Sequence, residues 1–291
     1  VTTWPELPAA VVSAVEQRMS RVVGAVDVDR GDSSDLAVVV RGVSGEPAFV
    51  KGVRGVSRRM RWLRNEITGS LRAPGIAPNI VFHADVDDWL IVGFTYVPGR
   101  RADLRPGSAD LPLVAETLSR INRVRTPDLR PLRDRWSGTD WWTRLADEAP
   151  EHIRGWDARE MARVSAAAPA LVDGTSLLHT DLHADQFLIS ETNRVHVIDW
   201  GFPGSGAPWV DTAFMTLRLV DAGHTPAEAE SWARTIPAYA DATPDALTAF
   251  AAYVAGFWTH LSLSAGHDAR HRARLAQTCA NWRLGSPVPT T

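Results

Sequence analysis

The chain has 291 residues, room for one large domain or two smaller ones. It is 45% hydrophobic and 22% charged, which supplies an ordinary core and excludes wholesale disorder. A net charge of −3 excludes a global positive field for nucleic acid or an anionic membrane, and the single cysteine, Cys279, excludes a disulfide framework or a multi-cysteine zinc site.

No apolar run approaches the roughly 20 residues of a spanning helix; Trp89-Leu90-Ile91-Val92 is typical of the longest. The opening residues Val1 to Glu6 lack the basic flank and apolar stretch of a secretory signal, so a cytoplasmic location is expected. Among 31 basic residues only Lys51 is a lysine. A coding preference accounts for the arginines. Chance accounts for the surviving lysine as well as function does, but a compact point charge and a planar fork are not interchangeable at a tight site.

In chain order, an amphipathic stretch over 9–19 precedes short β-branched runs at 21–28, 36–40 and 48–51. Polar turns at 30–35 and 44–47 separate them, and the pattern predicts an antiparallel meander. Residues 56–72 read as a helix, with Met60, Leu63, Ile67 and Leu71 at helical spacing. Its arginines predict a solvated face and not a nucleic-acid patch, since no aromatic ladder accompanies them. A hairpin is expected over 79–94 with its turn near Asp87-Asp88. Helices are predicted over 111–123, 140–149, 158–172, 210–222, 226–239, 244–264 and 269–282. Trp141 and Trp142 are expected to pack between helices. The composition therefore splits into a strand-rich lobe, 1–95, and a mainly helical lobe, 96–291, an α+β architecture with its functional cleft between the lobes.

One extended island carries the chemistry. Leu177-Leu178-His179-Thr180-Asp181-Leu182-His183-Ala184-Asp185-Gln186-Phe187-Leu188-Ile189 is followed by Arg194 to Gly201, which includes Ile198-Asp199-Trp200, and two apolar arms bracket the loop dense in His, Asp and Gln. The arms read as a hairpin that presents a polar loop. Phosphoryl transfer from a nucleotide needs a carboxylate for the acceptor hydroxyl, oxygen ligands for Mg²⁺ and a cation on the phosphates. Asp181, Gln186 with Asp199, and Lys51 supply these, with Glu66 placed to hold Lys51.

His179-x-Asp181-x4-Gln186, followed by Ile198-Asp199-Trp200, resembles the aminoglycoside phosphotransferase family, with its protein-kinase-like two-lobe fold: a small antiparallel-sheet N-lobe and a mainly helical C-lobe. The resemblance covers nearly the whole chain. It implies that Asp181 is the catalytic aspartate, that Gln186 and Asp199 hold Mg²⁺, and that Lys51, paired with Glu66, contacts the phosphates of ATP or GTP. It implies that the backbone of Thr95, Tyr96 and Val97 binds the adenine, and that the loop at 30–35, through Ser33 and Ser34, covers the phosphates. His179 and Asp211 become braces of the catalytic loop. His183, Trp200 and Trp209 become possible substrate contacts. Gln186 departs from the usual Asn, Thr180 from the usual Gly, and the 30–35 loop from the Gly-rich pattern of protein kinases.

The partners implied are a nucleoside triphosphate and a small-molecule hydroxyl acceptor, with no nucleic acid and no membrane; the oligomeric state is not legible. An aminoglycoside or other antibiotic is the expected acceptor, which would make the chain a resistance enzyme. Sugars, amino sugars, choline-like alcohols and amino acids are alternatives. Six acids against two arginines over 205–266 suit a cationic acceptor, as they suit a solvated acidic face. The rival classes are a catalytically inactive nucleotide-binding scaffold, and a metallohydrolase built on His179 and His183. A protein kinase is disfavoured because no Ala-Pro-Glu tripeptide follows Asp199.

Overall fold

Period-two burial builds the first third of the chain. The computed structural model describes residues 2–28, 33–43, 45–264 and 266–285. After α1 (Ala9–Met19) come β1 (Val22–Asp27), β2 (Leu36–Gly42) and β3 (Ala48–Arg54), then α2 (Arg58–Arg72), β4 (Ile80–Val86) and β5 (Trp89–Thr95). The five strands form one antiparallel sheet in the order β1-β2-β3-β5-β4. The expected meander holds for β1 to β3. Helix α2 then carries the chain past the β5 position to the far edge, so β5 returns between β3 and β4.

Side chains on a strand alternate between faces. Ala48 and Val50 of β3, with Trp89 and Ile91 of β5, pack under α1 together with Val11 and Val15. Val53, Leu90, Val92 and Phe94 face the other way and cover Leu63 of α2, with Phe49, Met60 and Ile67 packed around them. Lys51 therefore shares the α2 face of a central strand, paired in register with Ala37 and Val92. The fourth predicted member of the helix stripe, Leu71, lies outside this core and is 64% exposed.

Two compact units divide the chain. Val1–Ala102 joins Asp185–Pro203, and Asp103–Ala184 joins Gly204–Thr291. The first unit also holds β6 (Arg100–Arg101), and it takes β8 (Phe187–Ile189) and β9 (Val195–Val197) from the island, which make a small sheet in the order β6-β8-β9. In the second unit β7 (Ser176–Leu178) pairs with β10 (Gly204–Gly206). The two arms of the island are thus not each other's partners. The hairpin is β8–β9, and β7 belongs to a different sheet.

The second unit is helical: α3 (Leu111–Arg123), α4 (Leu132–Trp136), α5 (Trp141–Glu148), α6 (Ala158–Ser165), α7 (Ala168–Leu171), α8 (Val210–Asp221), α9 (Pro226–Ala233), α10 (Pro237–Ala240), α11 (Pro244–Ser262) and α12 (His267–Leu284). Two segments predicted as single helices, 158–172 and 226–239, are each broken in two. Pro169 and Pro237 stand at the breaks; a proline lacks the N–H that would continue the helix and its ring crowds the preceding turn. Helix α11 is apolar on most sides and forms the centre. Trp142 is fully buried against it, its Nε1 donating to Ala252 O at 2.8 Å, and a Cβ on Gly256 would lie 2.7 Å from that nitrogen. Among the described residues no helix is long and apolar enough to cross a membrane.

Candidate active site

Three of the predicted residues converge in the first unit. Lys51 Nζ donates to Glu66 Oε1 at 2.8 Å and Oε2 at 3.1 Å, and it also pairs with Asp199. Lys51 and Glu66 are buried, while the Asp199 side chain is 42% exposed. Burial works to lower the Lys51 pKa, but the Asp199 and Glu66 carboxylates outweigh it, so the ammonium is held well above the lysine range. Burial pushes the Glu66 carboxyl upward, and Lys51 only partly pulls it back. The lysine is therefore a fixed cation, immobilised by one buried acid and bordered by one that reaches solvent.

Helix α2 explains why these groups meet. Trp62, Asn65, Glu66 and Gly69 stand at i, i+3, i+4 and i+7, so they form one helical face. Glu66 grips Lys51. Asn65 Nδ2 donates to Gly201 O at 3.0 Å, and the Trp62 ring lies 5.3 Å from that of Phe202. A Cβ on Gly69 would fall 2.7 Å from Trp200 Cβ, so only glycine lets the helix approach so closely. One helix face thus fixes the lysine and the segment that carries Asp199. Asp199 itself has a left-handed backbone at φ 61°, a conformation that non-glycine residues adopt at a cost of about 1–3 kcal/mol and that is concentrated at functional sites.

Gln186 is buried, and its backbone O accepts from Ile198 N at 3.0 Å, which ties its segment to the residue before Asp199. A carboxylate and an amide offer oxygen donors only, the chemistry that suits Mg²⁺, so the residues present fit that ion.

In the second unit the segment His179-Thr180-Asp181 wraps around one buried acid. Asp211, at the start of α8, is 1% exposed; its Oδ2 accepts from His179 N at 2.7 Å and its Oδ1 from Thr180 N at 2.9 Å. Burial raises the Asp211 pKa, and these N–H groups partly offset it. His179 is fully buried, and its Nδ1 accepts from Asp181 N at 3.4 Å. Both act on backbone N–H groups of the loop, while Asp181 itself remains partly exposed. Thr180 is strained: it is β-branched with φ 66°. Thr180→Gly is expected to relieve about 1 kcal/mol and raise the thermal midpoint by about 1–3 °C, read by calorimetry.

Several expected contacts are placed differently. Trp200 is fully buried, its Nε1 donating to Val197 O at 2.9 Å, and Trp209 is 6% exposed with its ring edge against Phe250. Both tryptophans are core residues, with no face free to stack on a substrate. His183 keeps intermediate exposure. Thr95 N donates to Asn79 O at 2.8 Å and Tyr96 N to Pro47 O at 3.2 Å, so neither N–H is left for an adenine; among the described residues Val97 N has no such backbone partner. Ser33 is exposed and Ser34 is 6% exposed. The rest of the expected phosphate loop, Arg30, Gly31 and Asp32, lies outside the described residues, as does Ser44 of the next turn. Of the six acids over 205–266, Asp211 and Glu230 are buried and the other four are exposed, two of them with partners within the fold. Asp211 holds backbone, Glu230 binds Arg234, Arg283 and Tyr239, Asp221 binds His271, and the Glu228 carboxylate accepts from the N–H of Thr225, the N-cap of α9.

Two residues at this site were not foreseen. Arg218 of α8 and Arg272 of α12 both face Asp181 Oδ1, at 3.4 Å and 3.9 Å. Arg218 Nε also donates to Leu182 O at 3.2 Å. Burial and the neighbouring Arg272 lower the Arg218 pKa.

The chain matches the phosphotransferase enzyme family over residues 30–274. No curated protein sequence is matched. Among solved structures, a putative fructosamine-3-kinase from Haemophilus somnus 129PT aligns at 11% identity and TM-score 0.61, over 93% of this chain and 96% of that one. An aminoglycoside phosphotransferase from Alicyclobacillus acidocaldarius subsp. acidocaldarius DSM 446 aligns at 15% identity and TM-score 0.60, over 98% and 95%. A thermostable mutant of aminoglycoside phosphotransferase APH(4)-Ia, in a ternary complex with ADP and hygromycin B, aligns at 12% identity and TM-score 0.58, over 97% and 100%. At such identities the shared property is the fold, which is the protein-kinase-like one the motifs implied.

Proposed function

Because the chain belongs to the phosphotransferase enzyme family, and so is a small-molecule phosphotransferase, we propose that it moves the γ-phosphoryl group of ATP or GTP to a hydroxyl of its acceptor, with Asp181 as the base. The observation that carries the assignment of roles is the Lys51–Glu66–Asp199 cluster: a buried, immobilised cation beside a carboxylate that reaches solvent. In this reading the lobe of residues 1–95 takes the nucleotide, and residues 96–291 carry the base and the acceptor site. Gln186 and Asp199 would hold Mg²⁺, which when bound neutralises phosphate charge. Lys51 contacts the phosphates and Glu66 keeps it in place. Asp181 orients the acceptor hydroxyl and takes its proton as the oxygen bonds to the γ-phosphorus. The bond from that phosphorus to the bridging oxygen breaks, and the nucleoside diphosphate leaves. The protein's part is to position groups and balance charge.

An aminoglycoside or other antibiotic is the first acceptor to screen, since APH(4)-Ia is a structural neighbour with ADP and hygromycin B bound; antibiotic resistance would be the consequence. Sugar-derived acceptors come second, because a putative fructosamine-3-kinase is also a neighbour. Use of a cellular nucleotide suits a cytoplasmic location. The test is a diphosphate-release screen of the purified chain with Mg²⁺ and ATP or GTP, across hydroxylated antibiotics, amino sugars, sugars, amino alcohols and hydroxy acids. Transfer lost in Asp181→Asn is the expected result. Nucleotide binding without transfer to any acceptor would instead favour the scaffold.

A further inference from the structure

The charge around Asp181 bears on the acceptor. Within the second unit two guanidinium groups face one carboxylate oxygen, Arg218 at 3.4 Å and Arg272 at 3.9 Å. One carboxylate cannot neutralise two guanidinium groups. The next acid, Asp221, acts on Arg218 as well and pairs with His271; among the described residues no ion pair joins it to Arg272. The two arginines are not equivalent. Arg218 is tied to the loop through Leu182 O, and its side chain is 18% exposed. Arg272 stands over the Trp258 ring at 5.0 Å and is 34% exposed; among the described residues its guanidinium donates no hydrogen bond. A planar fork, orientated by an aromatic face and with its donors unused, is the arrangement that takes a carboxylate or phosphate in a bidentate way.

A polycationic acceptor would have to bring its amines against these arginines to reach Asp181, whereas an anion would relieve the repulsion between them. An anionic group hydrogen-bonded to Arg272 at about 2.8 Å lies beside a hydroxyl hydrogen-bonded to Asp181. The two groups then sit a few bonds apart on one small molecule. The anion would also draw Arg272 from Asp181 and leave Oδ1 for the hydroxyl proton. On the phosphotransferase reading above, we propose that the acceptor is a small hydroxy compound carrying an anionic group, a carboxylate or a phosphate monoester, which Arg272 binds.

The test uses steady-state kinetics of the full chain with Mg²⁺ and its preferred nucleotide. Hydroxy acids and phosphorylated alcohols are compared with their neutral amide or unphosphorylated counterparts and with aminoglycosides. Transfer is expected to an anion-bearing acceptor, and the carboxylate and phosphate arms separate the two sources of charge. For that acceptor Arg272→Gln should raise KM about 30-fold, the size expected for a lost charged hydrogen bond. The nucleotide KM should stay in place, and Arg272→Lys should recover part of the loss. Transfer only to cationic or neutral acceptors, or an acceptor KM indifferent to Arg272→Gln, overturns the acceptor class. So does nucleotide binding without transfer to any anion-bearing acceptor; the phosphotransferase assignment then stands if another acceptor is phosphorylated and gives way to the scaffold if none is. Failure to bind any nucleotide overturns both.

Discussion

Asp181→Asn is expected to lower kcat by about 10³, within the range that a positioned general base contributes, and to leave the KM for the nucleotide within about threefold of wild type. Asparagine keeps an oxygen where Arg218 and Arg272 meet Asp181 Oδ1, so the loop retains its shape. It cannot take a proton from the acceptor. The two effects separate because no nucleotide ligand in the proposed mechanism comes from this residue. Full turnover in Asp181→Asn would remove the aspartate from the mechanism. A loss of activity accompanied by a lower thermal midpoint would point to a bracing role instead. Asp211→Asn supplies that comparison. Its amide can accept one of the two N–H groups, from His179 and Thr180, that the carboxylate now accepts, and it presents its own N–H₂ to the other. That leaves a buried donor unsatisfied at about 1–3 kcal/mol, so stability and turnover should fall together.

What the sequence disclosed and what it hid follow the range of the interactions. Lys51 stands out as the only lysine, in a β-branched run, and Glu66 by its helical position among arginines. Both depend on local pattern, and the two meet because β3 and α2 each have one face turned to the other. The helix breaks at Pro169 and Pro237 were legible but overridden by apolar periodicity that continues through them. Trp200 and Trp209 carry no local sign of their burial, which follows from packing by distant segments. Arg218 lies 37 residues from Asp181, and Arg272 lies farther on, in another helix. In a chain whose basic residues are nearly all arginine, composition gives no means of picking out two of them. The acid count over 205–266 reports charge along the chain, while four of those acids have partners within the fold. At the loop itself Arg218 and Arg272 both face Asp181.

Breaking the Lys51–Glu66 pair should make stability depend on pH more steeply than it does in the wild type. Lys51→Met leaves the Glu66 carboxyl buried without its cation, a loss of about 3–5 kcal/mol when the remaining charge stays ionised. Glu66 escapes part of that penalty by holding a proton. Burial already raises its pKa above that of an ordinary glutamate with Lys51 present, and removal of the cation raises it further. A carboxyl whose folded pKa exceeds its unfolded one binds more protons in the folded state, so stability falls as pH rises through the window from the unfolded value to the folded one. The thermal midpoint of Lys51→Met should therefore drop more steeply than that of the wild type as pH rises above the ordinary carboxylate range, and the double variant Lys51→Met/Glu66→Gln should lose that added slope while keeping the share due to buried Asp211. Nucleotide-dependent turnover should be lost by about 10² or more in both, because neither has the cation proposed for the phosphates. Glu66→Gln alone keeps the lysine, which then rests on Asp199, so its loss should be smaller and should fall mainly on kcat/KM. Coupling between the two positions, measured as the departure of the double variant from the sum of the singles, should exceed about 1 kcal/mol. Additive effects would show that the buried ion pair does not position the lysine, and the role given to α2 would fall with it.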